Sequence, residues 1–486
     1  MKHYLVFFLF IVIQLLSLGC DKGTKPQIGI IELNSVKNNM LKIDIDVQTS
    51  RDTDAYVQYW CFNDKEKKDS TLFYSPISRN KDDHNLRLIN LKFNTSYNFN
   101  VVAKKNGNKR VSKTYSLNTA KEAPWIPYYP DKDSIAAVNF DGYLHFHSRQ
   151  VPGYMFIIDG KGQLVSYQKN EANFKVSKFT HKGSLLGILS SDTLHFTNGK
   201  KIIEYDQFGN VLFEAETGKD GIEKSFHHEI DLDGNGNIMT LVYEEKIMDL
   251  TSLGGKTKDT VRGDGILVIN HNKEIVWEWS VFDVMNPLED EKILEGKKDW
   301  LHANSLFKDR QGDYYISFRN ISQIWKINGR TGDIIWKLGG EDGDFEIPKD
   351  VVFFGQHNIR INDKNELTLL DNGNMRFEPG RMPRPINNRG QDINANARSR
   401  LLKLSIDTLQ MKVTPLGSVT FPKRYFTHSQ GGAEYINDSL VVFCSTNTNR
   451  ILFTDQNGEI VGNIPLEYST YRVQYLEELY STDYVK

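Results

Sequence analysis

The sequence predicts an all-β protein, a six-bladed β-propeller preceded by a small β-sandwich. Three observations carry this expectation. Residues 299–340 read as four short strands in a meander, at 301–307, 313–319, 323–327 and 333–338. They are alternating, aromatic-rich and separated by Gly/Asn/Asp turns, the pattern of antiparallel strands and the unit of a propeller blade. An apolar strand, a turn and a second apolar strand then recur six times, starting at Tyr154, Lys201, Gly265, Gln323, Leu401 and Arg450. Each recurrence follows an inner-strand candidate, at 142–147, 184–190, 237–243, 313–319, 366–372 and 439–444. Internal repeats decide architecture, and six repeats imply six blades.

In chain order, residues 1–19 have a basic start and a long apolar run, the form of a secretory signal. The ending Leu-Ser-Leu-Gly-Cys is similar to a bacterial lipobox, with Ser17 where Leu is more usual. That implies cleavage before Cys20 and lipidation of its thiol, giving an exported lipoprotein on the periplasmic side of a membrane or on the outer membrane. An uncleaved membrane anchor is the alternative. Residues 20–27 read as a tether. Residues 28–120 carry strands at 41–47, 55–61, 86–89 and 97–103. Within them the stretch Leu-Lys-Phe-Asn-Thr-Ser-Tyr-Asn from Leu91 resembles the tyrosine corner of fibronectin type III domains, so a fibronectin-III-like β-sandwich is expected. It holds no catalytic constellation and suits a spacer or docking module. Residues 121–134, with Pro124, Pro127 and Pro130, form the linker, and 135–486 the propeller. Loops are expected at 246–264, 286–298 and 374–399.

A chain of 486 residues, 39% hydrophobic, suffices for more than one core. A net charge of −2 without a long basic block argues against nucleic acid as a partner. The three cysteines are Cys20, Cys61 and Cys444. The lipobox claims the first, and the others fall in different domains, so no disulfide framework is expected. No Cys/His spacing suggests zinc, no Gly-rich loop suggests a nucleotide, and no cofactor is expected.

In four consecutive blades the innermost strand is expected to begin with a histidine: His228, His302, His357 and His428. His228 to Ile238 spans ten residues, as does His357 to Leu367, so these two align without a gap. Innermost strands all run the same way along the channel, which collects these side chains at one mouth. A turn centred near Arg310–Gln311 sets His302 opposite Arg319, with Cβ atoms ~4.5–5.5 Å apart. Asn304, two residues on, shares the face of His302. A His, an amide and an Arg at a strand end suit an anion; histidines kept for blade packing are the alternative.

The surrounding motifs are Phe226-His227-His228-Glu229-Ile230, Asp299-Trp300-Leu301-His302-Ala303-Asn304-Ser305, Ser317-Phe318-Arg319, Gly355-Gln356-His357-Asn358 and Leu370-Asp371-Asn372-Gly373. In this order, from about residue 139 onward, they resemble the bacterial arylsulfate sulfotransferase family. The resemblance implies a six-bladed propeller behind a small sandwich. It also implies PAPS-independent, ping-pong transfer of a sulfuryl group from an aryl sulfate donor to a phenolic acceptor through a sulfohistidine. It makes His357 the nucleophile and His302 the acid and base, with Arg319, Asn304 and His228 holding the sulfuryl oxygens. The chemistry is compatible: a neutral imidazole is a nucleophile, an imidazolium protonates a leaving phenolate, and a guanidinium suits sulfuryl oxygens. Phe226, Trp300, Phe354 and Tyr425 are candidates to line an aryl pocket, with His428 as a further substrate contact. His228 is preferred to His227 on its alignment with His357.

Some members of the family carry a disulfide near the active site, which no cysteine pair here supplies. The insertion 374–399, with Arg376, Arg381, Arg384, Arg389 and Arg398, is a solvated loop or a lid that attracts anions. The partners implied are the donor, the acceptor and a membrane holding the lipid anchor, and a homodimer stays open. Two other classes remain. A non-catalytic propeller would bind sulfated ligands through the same cluster. A polysaccharide lyase would need an open groove and a uronate-binding surface, for which there is no motif.

Overall fold

The computed structural model of the chain describes residues 25–36, 39–61, 72–121, 126–128, 140–190, 198–374 and 397–479. The signal sequence with Cys20, most of the linker, and residues 375–396 of the arginine-rich insertion lie outside them. The described residues divide into two compact units, with the main boundary between Ile126 and Pro127.

The larger unit is the propeller, built of six four-stranded sheets. Five of these sheets use four strands consecutive in sequence. The first is completed by the other end of the chain: Tyr143–Ser148 and Gly153–Asp159 are followed outward by Leu164–Asn170, and inward by Gln474–Leu476. Gln474 pairs with His145 and Leu476 with Tyr143, so a strand that follows the last blade in sequence completes the first blade and closes the ring. The second strand of a blade lies between its neighbours, and at Leu185–Ser190 and Tyr314–Phe318 it is buried throughout. Both therefore read as nearly unbroken apolar runs. Outer strands such as Val211–Glu216 alternate between buried and exposed positions.

One turn recurs between the first two strands of several blades. In Asp309–Asp313 the Asp309 carboxylate accepts the Asp313 N–H at 2.9 Å, while the Gly312 N–H closes onto Asp309 C=O at 3.1 Å. Gly312 needs φ 95°, which a residue without Cβ adopts freely. The same turn is built at Asp233–Asn237, with Gly236 in the left-handed slot. This repeated turn sets the strand register that aims residues at the mouth.

The expected loop at 246–264 is instead a hairpin. Strands Ile238–Met248 and Asp259–Ile269 stay paired out to Met248 and Asp259, with a single 3₁₀ turn, Thr251–Leu253, near the tip. Glu244, Glu245 and Lys246 disguise the strand pattern. Val261 and Leu250 nevertheless bury completely in the core with Trp300, and that packing holds the extension in place. The stretch 286–298 holds the 3₁₀ turn Pro287–Glu289, capped by Asn286, and the short helix Ile293–Gly296.

The N-terminal unit is a separate seven-stranded sheet. The expected strands 41–47 and 55–61 are one continuous strand, Asn39–Cys61. Its first half pairs with Ile28–Val36 and Ser78–Leu88, its second half with Ser96–Lys105. Both halves contribute to one core that contains Ile45, Val57, Tyr59, Leu86, Tyr97 and Phe99. The Tyr97 hydroxyl accepts the Lys92 N–H at 3.1 Å, as a tyrosine corner requires.

Ring closure is reinforced by a side chain. The Gln474 amide accepts the Phe179 N–H at 3.0 Å and donates to Phe179 C=O at 2.9 Å, imitating a strand partner for the second blade. Gln474→Leu should leave both backbone groups unpaired and destabilise the protein by about 2 kcal/mol. Urea unfolding would show this as a lower midpoint with an unchanged slope.

Candidate active site at the propeller mouth

The innermost strands are Asn173–Phe179, Phe226–Leu232, Ala303–Lys308, His357–Ile361, Gly432–Asn437 and Gln474–Leu476. The candidate residues lie at or just before the first residues of these strands. There the backbone leaves regular β geometry: His228 (φ 54°), His302 (φ 58°), Asn358 (φ 53°) and Gln430 (φ 61°) are all left-handed. In the three blades headed by His228, His302 and Asn358 a register shift follows at this point. Non-glycine residues in this region carry strain, and such strain gathers at functional sites. The four histidines therefore do not share one backbone position. His228 and His302 occupy the left-handed slot, His357 precedes it by one residue, and His428 by two. Bulges of different size cause the difference, and equal sequence spacing does not reveal them.

The expected pairing of His302 with Arg319 is present. The Arg319 N–H donates to His302 C=O at 3.0 Å, and Ala303 then pairs with Phe318. The expected alternation to Asn304 is interrupted by the bulge. Asn304 is fully buried, its amide donates to Gln356 C=O at 2.7 Å, and it ties the strand of His302 to the residue before His357.

His357 is 1% exposed. Its Nδ1 lies 2.7 Å from Asn372 Oδ1 and 3.1 Å from Gly355 C=O. The Asn372 amide nitrogen donates to Thr427 C=O and Gln430 C=O, so its oxygen is the acceptor that faces the ring. With acceptors on this side, Nδ1 carries the proton and Nε2 the lone pair. The Gln430 N–H donates to that lone pair at 3.1 Å. Burial, then the charges of Arg319 and His302, hold the His357 pKa well below its ordinary value, which keeps the ring neutral at neutral pH.

His302 is the more accessible ring, its side chain 17% exposed, with Nδ1 2.6 Å from Asp299 Oδ2. Burial pushes the Asp299 carboxyl up, but His302 and Arg319 outweigh it and hold the group below the carboxylate range. An ionised Asp299 accepts the His302 Nδ1–H, which leaves Nε2 of His302 outside that bond. The His228 ring lies 4.8 Å from the His302 ring, centroid to centroid. His227 sits behind it, stacked on Tyr243 at 4.0 Å.

Three arginines bring fixed positive charge: Arg149 and Arg472, whose guanidinium carbons lie 5.8 and 5.4 Å from the Tyr471 ring centroid, and Arg319. Arg319 differs in its contacts. Its only side-chain hydrogen bond among the described residues runs to Asn320 Oδ1 at 3.3 Å, and its Nε is buried without a partner. Arg319 is half-buried and, among the described residues, makes no ion pair with a carboxylate, so its guanidinium keeps free donors that an anion can use. Tyr471 completes the ring of groups. It is 2% exposed, with its hydroxyl unpartnered and its ring centroid 5.7 Å from His228 and 6.5 Å from His357. Burial raises its pKa, so the hydroxyl stays a donor. Glu229 accepts from Arg472 and from Ser305, with Arg360 3.7 Å away.

Three sequence candidates fall elsewhere or need restating. Phe226 is fully buried in the core with Ile188 and Ile230. Trp300 is 4% exposed, with its indole N–H on Asp290 at 2.7 Å. Neither presents an aryl-binding face; apolar packing claims both. His428 is half-buried and close enough to Arg319 for that charge to add to burial in lowering its pKa. Tyr471 and Asp299 went unassigned from sequence. The available signal was the segment Thr470-Tyr471-Arg472-Val473 just ahead of the closing strand. Among the described residues, no three His, Cys, Asp or Glu side chains are grouped to hold a metal ion.

No curated protein matches the chain. Among solved structures, a Bacteroides caccae protein of unknown function has a TM-score of 0.41 at 8% identity, covering 70% of this chain and 100% of its own. A Bacteroides thetaiotaomicron protein of unknown function scores 0.34 at 10% identity over 92% and 99%. Apo AztD from Citrobacter koseri scores 0.31 at 11% identity over 69% and 97%. Likeness at that level carries no argument about this chain. The sequence model of the arylsulfotransferase (ASST) family, in contrast, matches residues 132–478, the whole propeller with the strand that closes it, and the chain belongs to that family.

Proposed function

We infer arylsulfotransferase activity from membership of the family. We propose that the chain moves a sulfuryl group from an aryl sulfate to a phenol, without a nucleotide donor, by a ping-pong route through His357. The observation that carries the reading is the state of that ring: neutral, with its acceptors on Nδ1, its Nε2 lone pair held by the Gln430 N–H, and the charge of Arg319 near enough to lower its pKa.

In the first half-reaction the sulfuryl oxygens sit among Arg319, His228 and the Tyr471 hydroxyl. The Gln430 N–H gives up the His357 lone pair, Nε2 bonds to sulfur, and the bond from sulfur to the aryl oxygen breaks. His302, as an imidazolium stabilised by Asp299, gives its proton to the departing phenolate. In the second half-reaction His302 takes the proton of an incoming phenol, whose oxygen displaces His357 from sulfur. Fixed donors suit this chemistry because charge shifts onto the sulfuryl and aryl oxygens without any need to reorganise solvent. Asn304 acts here by positioning His357 rather than by touching substrate. Lipidation at Cys20, export, and a membrane-held location outside the cytoplasm belong to the same proposal.

The soluble form starting after Cys20, mixed with 4-nitrophenyl sulfate, should release nitrophenolate in a phenol-dependent manner. His357→Ala should abolish release, by at least ~10³-fold. Release independent of phenol would make the protein a hydrolase. No release from a panel of aryl sulfates would favour an anion-binding propeller.

Asp299→Asn separates the acid from the nucleophile. It should slow transfer from phenyl sulfate, whose leaving phenolate is basic, by ~10²-fold, while sparing 4-nitrophenyl sulfate. An equal loss on both donors would contradict the acid role of His302.

A further inference from the structure

The groups behind His228 are not used by the chemistry above. His227 Nδ1 lies 2.8 Å from His228 Nδ1, so one of the two must carry a proton and the other a lone pair. On its far side, His227 Nε2 lies 3.5 Å from Asp264 Oδ1, an ion-pair distance that must shorten before the two share a proton. Both residues are nearly fully buried, and His227 Nε2 and Asp264 Oδ2 have no hydrogen-bond partner. Stacking on Tyr243 at an interplanar angle of 20° holds the His227 plane in line. Asp264 stands on the hairpin extension, and its carboxyl also accepts the backbone N–H groups of His302 and Ala303.

We propose that Asp264 and His227 are positioning residues forming a proton relay that decides whether His228 offers the mouth an Nε2 hydrogen or an Nε2 lone pair. The inference rests on the assignment of His228 to a sulfuryl oxygen. With Asp264 ionised, His227 Nε2–H donates to the carboxylate and His227 Nδ1 accepts from His228 Nδ1–H. His228 Nε2 is then a lone pair, which repels a sulfuryl oxygen. With Asp264 protonated, its O–H donates to His227 Nε2. His227 Nδ1–H then donates to His228 Nδ1, and His228 carries Nε2–H, the donor that a sulfuryl oxygen needs. The two states differ by one proton, exchanged with solvent at the mouth.

The surroundings favour the protonated state. Burial first, and then the charge of Asp299, push the Asp264 carboxyl up to about 8, against the two backbone donors. The other groups facing the relay are Tyr243, Arg262 and the Val242 C=O beside the His227 ring, with His302, His357 and Arg149 around His228. Because the folded-state value is raised, the donor state exists at neutral pH and is lost as pH rises through about 8.

The test uses Asp264→Asn in the soluble form starting after Cys20. The asparagine N–H donates to His227 Nε2 at every pH and locks the donor state. The first-turnover burst of nitrophenolate from 4-nitrophenyl sulfate should fall by up to ~10²-fold as the native protein passes through the Asp264 titration, and that fall should vanish in the variant. Nitrogen NMR of labelled histidines supplies a readout independent of turnover. His228 should carry its proton on Nε2 at neutral pH and on Nδ1 above the titration, with no switch in the variant. An alkaline fall unchanged in Asp264→Asn, or a His228 already protonated on Nδ1 at neutral pH, would overturn the relay. If native protein released no nitrophenolate, the sulfuryl-transfer reading would fail, while the NMR switch would still decide the relay.

Discussion

The mouth of the propeller depends on keeping one imidazole neutral with its lone pair facing inward. His357 meets both conditions through position alone. Burial and the neighbouring Arg319 disfavour its protonation, and Asn372 and Gly355 hold the remaining hydrogen on Nδ1. Asn372 also pins the loop that supplies the Gln430 N–H, so the residue that orients the ring orders the wall opposite it. A group in this state pays little reorganisation cost when it bonds to an electrophile.

The fold provides the convergence. Parallel innermost strands bring His228, His302 and His357 to one level, and the closing strand brings Tyr471 to the same level from the far end of the chain. Arg319 stands at the mouth without a carboxylate in contact, while Glu229 is bound to Arg472. The left-handed residues at the strand heads aim side chains inward at a local cost that buried second strands such as Tyr314–Phe318 sustain.

Much of this was legible from sequence. The six repeats and their second strands are present as read, because strands buried on both faces leave unbroken apolar runs. The pairing of His302 with Arg319 followed from a turn whose length is set by Asp309 and Gly312. Bulge size was not legible: it separates His357 from the slot held by His228, yet one extra residue leaves no mark on composition. Tyr471 was missed because its closing strand is short and pairs with residues more than three hundred positions earlier. Phe226 and Trp300 are packed in apolar clusters that their own sequence neighbours do not announce. An aromatic residue beside a polar motif looks like a substrate contact until the apolar neighbours on the adjoining blade are known.

The most direct test of the central claim is the mass of the protein after a rapid mix with an aryl sulfate in the absence of acceptor. A neutral, lone-pair-bearing His357 predicts one added sulfuryl group, carried on the peptide that contains His357 and discharged by phenol. Release of the aryl alcohol without any adduct, or an adduct on a different residue, would contradict it.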